Sequence, residues 1–213
     1  MKKIGLLIPK TNLTVEYELQ MLFSKGYFSI EKSVFYISKL DYKTNYKENK
    51  SKFLEDLATD INNKKKDLEY LNIDYTVFFC TTSALENKVE EVNPTISLIE
   101  EAKLRSIKKC LLITPYNDIL GKEIALMLED NDIKVIKNIN LDLLHTADYF
   151  DYGINKLENL IAENYSKDYE NIIISCTNLP TIAAIEKLEN KLETKIISSN
   201  SSLFAKVKRD NDI

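Results

Sequence analysis

The chain has 213 residues, of which 44% are hydrophobic and 29% charged, and it carries a formal net charge of −4. This length can bury a core as one large domain or as two small ones of about 100 residues each. Because acidic and basic residues are interleaved and no stretch approaches the roughly 18 apolar residues of a membrane span, we expect neither a nucleic-acid nor a membrane partner.

Short apolar runs alternate with helical patterns along the whole chain. The runs predict strands at Lys3–Ile8, Val34–Ser38, Tyr75–Phe79, Lys109–Ile113, Lys134–Lys137, Asn171–Ser175 and Lys195–Ile197. Helical periodicity predicts helices at Glu16–Phe23, Lys52–Ile61, Pro94–Ile107, Gly121–Leu128, Gly153–Asn164 and Thr181–Leu192. Such alternation predicts an α/β protein with parallel sheets flanked by helices.

The two halves of the chain resemble each other. The segment Leu6–Asn12 has a counterpart in Leu111–Asn117, and a cysteine follows the third strand of the first half as well as the third strand of the second. We therefore predict two similar Rossmann-like lobes related by a pseudo-twofold axis, at residues 1–105 and 106–213, with an active site in the cleft between them. The C-terminal helix is a candidate to pack on the first lobe.

Cys80 and Cys176 are the cysteines in question, and both are followed by threonine and further small polar residues. Open α/β sheets place their ligand crevices at the carboxyl ends of the strands, where both thiols are expected. Two thiols delivered in this way indicate a matched pair of proton-transfer or nucleophilic groups.

The cysteine and histidine content and the missing nucleotide-binding motifs limit the cofactors that we expect. Three cysteines without CxxC spacing and a single histidine argue against a zinc site and against a disulfide framework, so we expect a cytoplasmic protein with reduced thiols. Neither GxGxxG nor GxxxxGK[ST] occurs, which argues against nicotinamide, flavin and ATP.

Five motifs, in this order, resemble the aspartate/glutamate/hydantoin racemase superfamily, and within it the branch of maleate cis-trans isomerases and arylmalonate decarboxylases. They are Pro9-Lys-Thr-Asn12 with Glu16, Cys80-Thr-Thr-Ser83, Thr114-Pro-Tyr116-Asn117, Cys176-Thr-Asn-Leu-Pro-Thr181 and Ser198-Ser-Asn200. The resemblance covers nearly the full length. Two departures are Ala84–Asn87, where the family usually has glycines, and Lys39, where it often has arginine.

The resemblance implies a reaction on a small carboxylate without metal or organic cofactor. In a cis-trans isomerase, Cys80 would be the nucleophile and Cys176 the acid/base, since a thiolate can add to a conjugated double bond. Both cysteines precede predicted helices, whose first amides would lower the pKa of a thiol. The candidates for substrate binding are Asn12, Thr81, Thr82, Tyr116, Thr177, Asn178 and Asn200, helped by Lys39.

Three functions stay open at this point. A maleate-like diacid is the preferred substrate of an isomerase, because the arylmalonate decarboxylases resembled here keep only the second cysteine. The first alternative is a racemase of aspartate, glutamate or a hydantoin that uses the two cysteines as opposed bases. The second is a non-catalytic protein that binds small acids on the same fold. The oligomeric state is open as well, a homo-oligomer included.

Overall fold

The fold is described from a computed structural model that covers residues 1–44, 46, 48–85 and 91–213. Strands and helices alternate in both halves. The first half contains β1 (Lys2–Pro9), α1 (Thr14–Ser24), β2 (Ser33–Leu40), α2 (Lys50–Tyr70), β3 (Tyr75–Phe78), α3 (Thr81–Ala84) and α4 (Pro94–Leu104). The second contains β4 (Lys109–Thr114), α5 (Asp118–Glu129), β5 (Lys134–Asn140), α6 (Thr146–Tyr152), α7 (Ile154–Asn164), a 3₁₀ turn (Lys167–Tyr169), β6 (Asn171–Ile174), α8 (Ile182–Leu192), β7 (Lys195–Ser198) and α9 (Ser199–Asn211).

The strands form two parallel sheets with matching orders. The N-terminal sheet has the order β2-β1-β3 and the C-terminal sheet β5-β4-β6-β7, so that β1 and β4 occupy equivalent interior positions. Apart from the exposed lysines at their starts, both interior strands are mainly apolar and buried on both faces, as expected where helices cover a parallel sheet. Edge strands β2 and β5 are only partly buried. The predicted α/β fold is confirmed.

Helices α4 and α9 cross between the two halves. α4 packs on β7, and its Leu98 and Ala102 belong to the core of the C-terminal sheet. In return, Phe204 of α9 lies in the core of the N-terminal sheet, with its ring centroid 5.4 Å from that of Phe79 and 6.0 Å from that of Phe28. The exchange fixes the two sheets against each other. A domain boundary at residue 105 stays a prediction.

The predicted strands all occur, whereas some helices differ from the prediction. α2 continues to Tyr70 instead of ending at Ile61, because the apolar stripe resumes at buried Leu68 after a polar stretch. Helices α3 and α6 were not predicted. Of the Ala84–Asn87 departure, only Ala84 and Leu85 are described, and the other two residues lie outside the described part of the chain. No helix among the described residues has both the length and the apolar character needed to cross a membrane.

Candidate active site

Both predicted cysteines open onto one cavity of about 160 Å³ at the carboxyl ends of the two sheets. This volume is close to the roughly 150 Å³ of a protein cavity that holds benzene, so it suits a small molecule. The cavity is lined by Pro9, Thr11, Asn12, Tyr42, Tyr46, Phe53, Cys80, Thr81, Thr82, Tyr116, Asn117, Leu120, Leu144, Thr146, Tyr149, Cys176, Thr177 and Asn178. All predicted site residues except Asn200 and Lys39 therefore line this cavity.

Cys80 is surrounded by hydroxyl groups. It follows β3 directly, and its sulfur lies 3.4 Å from Thr82 Oγ1 and 3.3 Å from Ser83 Oγ. In each of these two contacts either the thiol or the hydroxyl can be the donor. Thr81 Oγ1, also at the cavity, is buried and has no hydrogen-bond partner within the described residues.

Cys176 has a different environment. Its thiol is almost fully buried, and burial raises its pKa to about 11, with a further contribution from the charge of Cys80. Hydrogen bonds from the Tyr116 side chain and from the Asn178 amide, 3.3 Å from the sulfur, oppose this rise. The backbone amides after Cys176 lower its pKa, as expected, but they are those of Asn178 and Leu179, ahead of α8, and burial outweighs them. Cys176 is therefore a protonated thiol at neutral pH.

Two tyrosines stand beside Cys176. The rings of Tyr116 and Tyr149 meet edge to face with centroids 5.9 Å apart, and burial raises the pKa of both phenols well above the usual range. Both hydroxyls therefore stay protonated at neutral pH, so they can donate hydrogen bonds. Tyr149 was missed from the sequence because helix α6 was missed. At the start of α6 the Asp148 carboxylate accepts from the His145 amide, but His-x-x-Asp does not match the Ser/Thr-x-x-Glu/Gln pattern of a capping box, so the sequence offered no clear signal for this helix.

An aromatic wall on the N-terminal side was also missed. The Phe53 ring packs edge to face on Tyr42 at 5.0 Å and on Tyr46 at 5.6 Å between centroids, and all three line the cavity. The Tyr42 hydroxyl lies 2.8 Å from Thr11 Oγ1. Tyr42 follows β2 closely, so the rule that ligands lie at strand ends would have found it.

Three predicted binding residues hold the two halves together. Asn12 Nδ2 donates to Thr177 Oγ1 at 3.1 Å, and Thr177 Oγ1 donates to Phe79 O at 3.0 Å. The Asn178 side chain accepts from the Leu13 amide and donates to the Thr146 carbonyl at 2.8 Å. These bonds fix the segment that carries Cys176. Direct contact of Asn12, Thr177 and Asn178 with a substrate stays a prediction.

Two expected contributors do not reach the cavity. Asn200 is fully buried behind it, with its amide nitrogen donating to Glu18 Oε2 and to Thr177 O. The Lys39 ammonium donates to Asn12 O at 2.6 Å and pairs with Glu16 Oε2 at 2.7 Å. Its expected role in holding a diacid is therefore corrected to a structural one. Among the described residues, no group of three or more His, Cys, Asp or Glu side chains could hold a metal ion.

Replacing Tyr116 by phenylalanine is expected to slow alkylation of Cys176. The Tyr116 hydrogen bond lowers the pKa of Cys176, so its loss raises that pKa and reduces the thiolate fraction at any pH below it. A shift of one pKa unit corresponds to about tenfold in rate. The measurement is iodoacetamide labelling of Cys176 at alkaline pH in a Cys80→Ser background. Tyr70→Phe, at an exposed position, is the control; an unchanged rate in Tyr116→Phe would show that the hydroxyl does not act on the thiol.

Comparisons with known proteins agree with the predicted family and with the observed fold. The family model of arylmalonate decarboxylase matches residues 90–211. The maleate isomerase of Alcaligenes faecalis is 24% identical, over 92% of this chain and 86% of the relative. A crystal structure of the maleate isomerase Iso from Pseudomonas putida S16 superposes with a TM-score of 0.86 at 16% identity, covering 100% of this chain and 93% of that one.

A further solved structure is the Nocardia farcinica maleate cis-trans isomerase, a cysteine-to-serine mutant with a covalently bound succinylcysteine intermediate. It superposes with a TM-score of 0.83 at 14% identity, again covering 100% of this chain and 93% of that one. Fold, paired thiols and relatives confirm the predicted aspartate/glutamate racemase superfamily. The chain belongs to the arylmalonate decarboxylase family.

Proposed function

We propose that this protein is a cofactor-independent cis-trans isomerase of a small unsaturated diacid such as maleate, with Cys80 as nucleophile and Cys176 as acid/base. Its maleate isomerase relatives support an isomerase of this type. The observation that carries the proposal is that two thiols at one cavity have different surroundings. Cys176 is held as a protonated thiol by burial, whereas hydroxyls surround Cys80.

The reaction proceeds by reversible addition of a thiolate. Cys80 Sγ forms a bond to one carbon of the double bond, and the electron pair of the π bond moves to the other carbon, next to a carboxylate. The Cys176 thiol gives its proton to that carbon, which leaves a carbon–carbon single bond that can rotate. Cys176 then takes the proton back, the double bond forms again, and the bond to Cys80 breaks. No atom is gained or lost, and the trans isomer is released.

The covalent state has a precedent in a protein of the same fold. A succinylcysteine is the product of thiol addition across the double bond of maleate, and it is the species in the Nocardia farcinica structure. In this chain, uncharged hydrogen-bond donors would bind the carboxylates of the substrate. Thr81 Oγ1 has no partner in the described part of the chain, and Tyr116 and Tyr149 are protonated phenols at the same cavity. Aimed donors of this kind stabilise a developing enolate.

The test is proton NMR in D₂O with maleate, aspartate, glutamate, hydantoins and arylmalonates. We expect conversion of maleate to fumarate and no turnover of the other substrates. Exchange of the α-hydrogen in both enantiomers of an amino acid or hydantoin would instead establish a racemase, and loss of carbon dioxide a decarboxylase. Acids that protect Cys80 from alkylation without any turnover would establish a binding protein.

A further inference from the structure

A carboxylate buried outside the cavity has no part in the chemistry described above. Glu18, on α1, is only 1% exposed. Its Oε1 accepts hydrogen bonds from the amides of Thr181 and Ile182, the latter at 2.8 Å, and from the Thr181 hydroxyl at 3.2 Å. Its Oε2 accepts from Asn200 Nδ2 at 2.6 Å. Burying a carboxylate is costly unless it is well hydrogen-bonded, so packing alone does not explain a glutamate at this position.

The bonds of Glu18 converge on the segment that carries Cys176. Thr181 ends this segment where α8 begins, and Glu18 holds its amide directly. Asn200 Nδ2, which donates to Glu18, also donates to the Thr177 carbonyl at 3.0 Å, next to Cys176. Within the segment, the Asn178 amide donates to the Cys176 sulfur. Glu18 thus fixes both ends of a turn whose middle contacts the thiol.

We propose that Glu18 is a positioning residue: its ionised carboxylate holds the turn from Cys176 to Thr181 so that Cys176 faces the Cys80 side of the cavity and keeps the Asn178 amide bond. This inference rests on the proposed function for its effect on turnover, whereas its effect on the reactivity of the Cys176 thiol is independent of any reaction.

Protonation of Glu18 would loosen the turn. The groups that face the carboxylate from α8 and α9 are neutral hydrogen-bond donors: two backbone amides, the Thr181 hydroxyl and the Asn200 amide. A protonated carboxyl oxygen would face one of these donors with its own hydrogen, and the hydrogen bond between them would be lost. Asn200 Oδ1, which has no partner within the described residues, could accept this hydrogen only if the amide turned, and Thr177 O would then lose its donor.

This arrangement predicts a pH dependence with a defined sign. Burial raises the pKa of Glu18 to about 7, and the four hydrogen bonds oppose that rise. As pH rises through this value, the carboxylate ionises and the turn is fixed, so turnover increases. As pH falls through it, turnover decreases. The Glu18→Gln variant, which cannot ionise, is expected to lose this inflection.

The experiment compares Glu18→Gln with Glu186→Gln, whose carboxylate is exposed on α8 and pairs with Lys25. We expect kcat for maleate to fall about tenfold or more in Glu18→Gln with KM changed less than about twofold, since a small misplacement of a reacting group costs this much. In a Cys80→Ser background, alkylation of Cys176 should slow by up to about tenfold, because loss of the Asn178 bond raises the pKa of the thiol and lowers its thiolate fraction. Glu186→Gln should leave both unchanged.

Two results would overturn the proposal. Unchanged alkylation of Cys176 in a folded Glu18→Gln protein would leave Glu18 a purely structural residue. Faster alkylation would mean that removing a negative charge matters more than losing the turn. Asn200→Ala keeps the Glu18 carboxylate and its bonds to Thr181 and Ile182, but removes the Asn200 bonds to Glu18 Oε2 and Thr177 O. It decides the question if Glu18→Gln does not fold, and it should slow alkylation in the same direction. If the wild type turns over no substrate, the alkylation rates still decide the role of Glu18.

Discussion

Replacing Cys80 by serine is expected to lower kcat for maleate isomerisation by about 10⁴-fold or more. The hydroxyl of serine is a far weaker nucleophile than a thiolate, and losses of this size follow removal of an activated nucleophile. The substitution is nearly isosteric, and Thr82 and Ser83 can bond to the new hydroxyl, so folding should be preserved. The measurement is the rate of fumarate formation followed by proton NMR, with the fold checked by circular dichroism.

The matched control is Cys110→Ala. Cys110 is fully buried in β4, away from the cavity, and burial raises the pKa of its thiol to about 12. Its loss should reduce stability without changing kcat. If Cys80→Ser retained turnover within tenfold of the wild type, Cys80 would not be the nucleophile, and the addition mechanism would be wrong.

Replacing Cys176 by serine is expected to trap the adduct on Cys80. Addition by Cys80 does not require Cys176, and solvent can supply the proton to the carbanion. The reverse step requires a base next to that carbon, and a serine hydroxyl cannot take this role. Loss of a general acid/base typically costs about 10²- to 10⁴-fold in rate. Intact-protein mass spectrometry after incubation with maleate should therefore show a mass gain of one maleic acid, assigned to Cys80 by peptide mapping.

The double variant Cys80→Ser/Cys176→Ser distinguishes specific from adventitious labelling. It should gain no mass under the same conditions, because the only remaining thiol, Cys110, is buried in β4. An adduct on Cys110, or full turnover in the Cys176→Ser protein, would contradict the assigned roles. A racemase with two opposed bases would behave differently, since its substrate forms no bond to sulfur and no adduct would accumulate.

Several elements were predictable because their signal is local. An interior parallel strand is buried on both faces and is written as a continuous apolar run, so β1, β4 and β6 were found within a few residues of their ends. Short helices such as α3 and α6 have no such signal, because one or two turns cannot display a full amphipathic stripe.

The sequence by itself determined the α/β fold, the superfamily and the position of two thiols at strand ends, since each depends on short local patterns and on their order along the chain. The tertiary structure decided which side chains face the cavity. Tyr149, on α6, lines it and packs on Tyr116, whereas Asn200 bonds to Glu18 outside it. It also decided that Cys176 is a protonated thiol. Burial raises the pKa of this thiol and outweighs the hydrogen bonds from Tyr116 and Asn178, and burial by distant segments is not encoded in a local pattern.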